Sequence, residues 1–153
     1  MQKTDSFSYY SEFLPDVSIA VVFEENPQYE DLIPFFEDYG YGFMVPGKNL
    51  VIIDGEQLIN GKGSEVLKFI EAHEISHVIM GHDGPRNEDD EIDADLGAYI
   101  LLKKSGYLDS VKTLLRQFRN RHGINFNEKL LERVKKYFSW YCQMYFFHFL
   151  HIY

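Results

Sequence analysis

The chain has 153 residues, 45% of them hydrophobic, with 15 Lys/Arg against 24 Asp/Glu and a net charge of −9. That is enough apolar material for one globular domain with a real core, and no internal repeat or low-complexity tract interrupts it. A single cysteine, Cys142, excludes an intrachain disulfide and is expected to pack as a small hydrophobe. Met1 to Ser6 show no signal-peptide apolar core, so a cytoplasmic location is expected.

In chain order, Val17 to Phe23 reads as a strand. Tyr29 to Tyr39 reads as a short helix in which Pro34 must lie near the start or break it. Tyr41 to Val45 and Asn49 to Asp54 flank Pro46-Gly47-Lys48 as a β-hairpin. From Ser64, a plausible N-cap, to a stop at Gly81, apolar Val66, Leu67, Ile70, Ile75, Val78 and Ile79 recur at three- and four-residue steps, an amphipathic helix. A second helix is predicted from Glu91 to Lys104, a third from an Asp109 cap to about Arg121, and a fourth from near Glu128, capped by Asn125 or Asn127 after Gly123. The fold class is α+β.

The first long helix carries His73-Glu74-Ile75-Ser76-His77, the H-E-x-x-H signature. Residues i and i+4 share one helix face, so two imidazoles so placed can bind one tetrahedral zinc. Glu74 beside them can serve as general base toward a metal-bound water. An open catalytic site needs one more protein ligand. Glu91, fourteen residues after His77, is the candidate, because a carboxylate is what a His-His site lacks. Asp95, one turn beyond Glu91, is positioned to accept the other ring N–H of a zinc-bound histidine. Glu88 to Asp90 read as a solvated acidic run. The metzincin pattern fails, since Met80 and Asp83 stand where its Gly and His belong. His82 is expected to end the helix beside its C-terminal dipole rather than to bind metal. Tyr99, Tyr107 and His122 are available as oxyanion donors, but nothing in the sequence places them at the metal, and none is assigned.

His73-Glu74-Ile75-Ser76-His77-Val78-Ile79-Met80-Gly81-His82 followed by Glu91-Ile92-Asp93-Ala94-Asp95 resembles the gluzincin arrangement, H-E-x-x-H then E-x-x-A-D/N. The short chain is similar to the ImmA/IrrE-like metallopeptidases, over about Tyr41 to Leu102, including the strand Leu50 to Asp54. It departs from them at Leu96-Gly97-Ala98-Tyr99 and in having no Met-Pro after Leu101-Leu102. The resemblance implies one zinc per chain at His73, His77 and Glu91, with Glu74 as catalytic base. It also implies a small twisted sheet packed on the active-site helix, as in zincins, followed by a mainly helical C-terminal part. The implied activity is an endopeptidase acting on a regulatory protein substrate, in a phage or mobile-element setting. The competing class is a silent zinc-binding interaction protein. Intact Glu74 argues against it, because a purely structural site needs no general base.

Charge divides unevenly. Residues 1–102 carry five Lys/Arg against 21 Asp/Glu, net −16, and residues 103–153 carry ten against three, net +7. With no nucleic-acid motif legible, the basic part is read as neutralising the acidic part rather than as a nucleic-acid surface. The domain is expected to span residues 1–136. The segment from Tyr137 to Tyr153 holds no Asp, Glu, Lys or Arg. It is shorter than the roughly 20 mainly apolar residues of a spanning helix. It reads as packing on the core or on a partner, including a second copy in a homodimer. Its histidines, His148 and His151, are read as packing or surface residues.

Overall fold

The computed structural model describes residues 5–59, 63–82, 87–123 and 125–133. The segment 137–153, with Cys142, His148 and His151, lies outside them. The chain forms two compact units, residues 1–114 and 115–153.

The first unit is α+β. Its sheet has four strands in the order β1-β2-β4-β3: β1 (Phe7–Tyr10), β2 (Ser18–Val22), β3 (Gly42–Met44) and β4 (Leu50–Asp54). The two central strands, β2 and β4, run parallel, and both edges are antiparallel. Ile19, Val21, Val51 and Ile53 are completely buried, as expected for alternate positions of paired central strands. Val21 pairs with Ile53 and Ile53 with Gly42, so these three share a face. Helix α3 (Gly63–Met80) packs on that face, and a Cβ on Gly42 would sit 3.2 Å from Ile70 Cγ2. Helix α1 (Tyr29–Tyr39) reaches β3 from the other side through Phe36, whose ring lies 5.6 Å from that of Phe43.

Pro34 lies in the interior of α1 and neither starts nor breaks it. The carbonyl it deprives of a partner is that of Glu30. Both residues are exposed, so water can serve there. Two short elements carry no sequence signal: β1, and the single turn α2 (Glu56–Ile59) held by Asp54, whose carboxylate accepts from Glu56 N at 3.1 Å and from Tyr29 Oη at 2.9 Å.

Helix α3 departs from the amphipathic expectation. Phe69 to Ser76 are eight consecutive buried residues. The middle of this helix is enclosed on all sides, and its polar residues are buried with its apolar ones. Helix α4 (Glu88–Lys104) lies against it. A Cβ on Gly97 would meet Ser76 Oγ at 2.8 Å and Ser76 Cβ at 2.9 Å, so only glycine allows this approach. Helix α4 begins at Glu88 rather than Glu91, because Asn87 caps it, its side chain accepting from Asp90 N at 2.9 Å.

The buried polar face of α3 is met by β1 and the segment after it. Glu71, fully buried, accepts from Tyr9 Oη at 2.5 Å, from Ser11 Oγ at 3.1 Å and from Lys68 Nζ at 3.3 Å. Lys68 also pairs with Glu12 at 2.5 Å and lies over the rings of Tyr9, Phe13 and Tyr107.

Helix α5 (Leu108–His122) ends at Gly123, whose φ is +68°. Within the second unit, residues 126–133 are helical, with Asn125 Oδ1 accepting from Asn127 N, and Phe118 meets Phe126 edge-on at 5.1 Å. Among the described residues, no helix is long and apolar enough to cross a membrane.

Candidate metal centre

Helix α3 presents His73 and His77 one turn apart, as the i, i+4 spacing requires. Their Nε2 atoms lie 3.1 Å from each other. Helix α4 brings Glu91 to the same point: one carboxylate oxygen is 3.2 Å from His73 Nε2 and the other 3.2 Å from His77 Nε2. One ligand atom from each residue falls within 4.8 Å of the others, a group able to hold a metal ion. Two ligand atoms of a tetrahedral zinc, at about 2.0–2.1 Å from the metal, are about 3.4 Å apart. The nitrogen and oxygen spacings here fit that requirement.

Asp95 sits one turn after Glu91, and its carboxylate lies 2.7 Å from His73 Nδ1. An ionised carboxylate only accepts, so Nδ1 of His73 carries a proton, and Nε2 is left as the ring atom that faces Glu91 and would bind a metal once deprotonated. Asp95 is buried at 1% exposure, so this bond is protected from solvent. His77 is oriented differently. Its Nδ1 lies 3.0 Å from Nδ1 of His82, whose Nε2 is in turn 3.5 Å from Asp90 Oδ1. The fold explains the contact. Gly81 adopts φ +70°, and Gly81 N and His82 N donate back to Val78 O and His77 O, a Schellman cap that turns the chain over the last helical turn. His82 does end the helix, as expected, but its ring lies on His77. Asp90 belongs to this chain of contacts, which corrects the reading of Glu88 to Asp90 as simply solvated; Glu88 and Asp89 are exposed. The signal that could have shown this is Gly81-His82 directly after the motif helix.

The local electrostatics favour a cation. Burial penalises a charged His73, but bonds to Asp95 and Glu91 outweigh it, and with Glu74 nearby they push its pKa up to about 10. Burial likewise opposes ionisation of Glu91, yet His73 and His77 hold its carboxyl well below the usual carboxylate range.

Glu74 is buried at 7% exposure and lines a cavity of about 400 Å³ together with His77 and Glu91. Gly42 makes room for it: a Cβ there would lie 3.3 Å from Glu74 Cγ. The structure therefore brings together His73, Glu74, His77, Glu91 and Asp95. It places the other candidates elsewhere. Tyr99 Oη accepts from Lys103 at 3.1 Å, Tyr107 donates to Glu12, and the His122 ring lies tilted against that of Phe118, centroids 4.6 Å apart.

Comparison with protein families, curated proteins and solved structures finds no match to this chain.

Proposed function

We propose that this protein is a zinc-dependent endopeptidase of the gluzincin type, similar to the ImmA/IrrE-like metallopeptidases, acting on a protein substrate in the cytoplasm. The observation that carries the reading is the convergence of His73 Nε2, His77 Nε2 and both Glu91 oxygens beside a cavity lined by Glu74. Two imidazoles and one carboxylate are the donor set of catalytic rather than structural zinc, which is more often closed by four protein ligands.

His73, His77 and Glu91 would hold the ion. Zinc so held supplies Lewis acidity, polarising a scissile carbonyl and making water a better nucleophile near neutral pH. Glu74 accepts the proton of the attacking water and returns it to the amine nitrogen as the peptide bond breaks. Asp95 fixes the tautomer and ring orientation of His73. His82 accepts the Nδ1 proton of His77 and does the same on the other side.

The test is metal content together with cleavage of a mixed peptide library. Wild type is expected to carry one zinc per chain and to cut peptides. Glu74→Gln keeps the zinc and is inert, and Glu91→Ala loses it. A wild-type chain that takes up no zinc after reconstitution rules the peptidase out. Zinc retained without any cleavage points to an interaction protein instead.

A further inference from the structure

Helix α5 distributes its charge unevenly around its axis. Lys112, Arg116 and Arg119 stand at i, i+4 and i+7, which on a helix puts them within about 60° of one another. All three are exposed, and buried Leu114 and Phe118 lie on the opposite side of the helix. Among the described residues none of the three makes an ion pair or a side-chain hydrogen bond. Lys68, by contrast, pairs with Glu12 and Glu71, and Lys129 with Glu132. The stripe on α5 therefore neutralises no carboxylate among the described residues. The helix has one acid, Asp109, in its first turn. The one large apolar residue it exposes is Leu108, at its start.

We propose that this stripe binds the sugar–phosphate backbone of a nucleic acid, without regard to base sequence. Two observations select that partner: the charge complementarity and the absence of an apolar centre. A protein partner is held around a buried apolar core, and no large apolar residue is exposed on α5 between Lys112 and Arg119. A polyanion needs none, because its affinity comes from counterions released as phosphates are neutralised. Seven residues of helix span about 10 Å. Phosphates of one duplex strand succeed one another every ~3.4 Å along the axis, so the stripe meets about three of them. Arg116 and Arg119 can each donate two hydrogen bonds to one phosphate, while Lys112 acts as a point charge. The net charge of −9 opposes approach only from afar, since charges more than about 8 Å from the strand are screened at physiological salt. No residue of α5 belongs to the ligand group, so the proposal stands apart from the peptidase reading.

The test is fluorescence anisotropy of a short labelled DNA duplex of arbitrary sequence, and of one of its strands, titrated with the full chain at rising salt. Log affinity is expected to fall against log salt with a slope of about −2.7 for the duplex and about −2.1 for the single strand, as three phosphate contacts require. Lys112→Ala, Arg116→Ala and Arg119→Ala should each make the slope shallower by about 1, whatever the base sequence. The triple variant should lose binding and keep the wild-type melting temperature and metal uptake. If the triple variant fails to fold, the slopes of the single variants decide. Lys48→Ala removes an exposed charge from the β3–β4 turn and leaves binding unchanged. No binding at about 50 mM salt with the chain at about 10⁻⁴ M, or binding that the triple variant retains, overturns the proposal. So does a poly-glutamate of equal charge that binds as tightly as the duplex, which assigns the stripe to an acidic protein instead.

Discussion

Helix α3 buries two glutamates three residues apart, and their surroundings differ. Glu71 is surrounded by donors: the Tyr9 and Ser11 hydroxyls and the Lys68 ammonium. Glu74 lines a cavity shared with two histidines and two further carboxylates, Asp90 and Glu91. Burial of an acid is therefore not by itself the mark of a reactive site. A carboxylate enclosed by its own donors ties elements together, and one lining an open cavity beside a ligand group is placed for proton transfer.

Exchanging the acids one at a time tests this contrast. The largest effect is expected for Glu74→Gln: peptide turnover falls by about 10²–10⁴-fold while zinc content and melting temperature stay at wild-type values. Glu71→Ala should do the reverse, lowering stability by about 3 kcal/mol in urea titrations because it strands a partly buried lysine and two hydroxyls, with zinc stoichiometry unchanged. A Glu71 variant that folds normally but loses activity would collapse the distinction. Gly97→Ala forces α3 and α4 apart and is expected to cost about 1–3 kcal/mol and to weaken zinc binding, read by chelator competition. Asp95→Asn and His82→Ala leave all three ligands in place, and each should weaken zinc by about 10- to 100-fold.

The smallest effect is in pH. In chain stripped of metal by a chelator, His73 is raised from 6.5 to about 10, so its stabilising contribution is complete below pH 6.5 and is lost as pH rises toward 10. Glu91 is shifted down from 4.5, so its contribution is present above that value and is lost as pH falls below it. The stripped chain should be most stable between pH 4.5 and 6.5. The increment from added zinc should grow with pH as His73 gives up its proton. A stripped chain whose melting temperature climbs steadily from pH 6.5 to 9 would contradict the first half.

The legible parts of this molecule are those set by local spacing. His73 and His77, then Glu91 and Asp95, are one-turn pairs on two helices, and one-turn pairs share a face whatever surrounds them. The bounds of α1 were readable for the same reason, as was the β3–β4 hairpin about Gly47. What required distant partners was not. Strand β1 is four residues whose pairing partner is β2, and the sheet order β1-β2-β4-β3 has no local signature. Nothing local marks Glu71 as buried, because its partners Tyr9 and Ser11 lie 62 and 60 residues away.

The close crossing of α3 and α4 has a consequence for how this sequence can vary. Ser76 folds its hydroxyl back onto Ala72 O at 2.7 Å, presenting little bulk, and opposite it Gly97 has no side chain at all. The two positions act as a single gauge of limited width. Volume can move from one side to the other, as in Ser76→Gly combined with Gly97→Ala, but it cannot be added to either without separating Glu91 from the histidines it must meet.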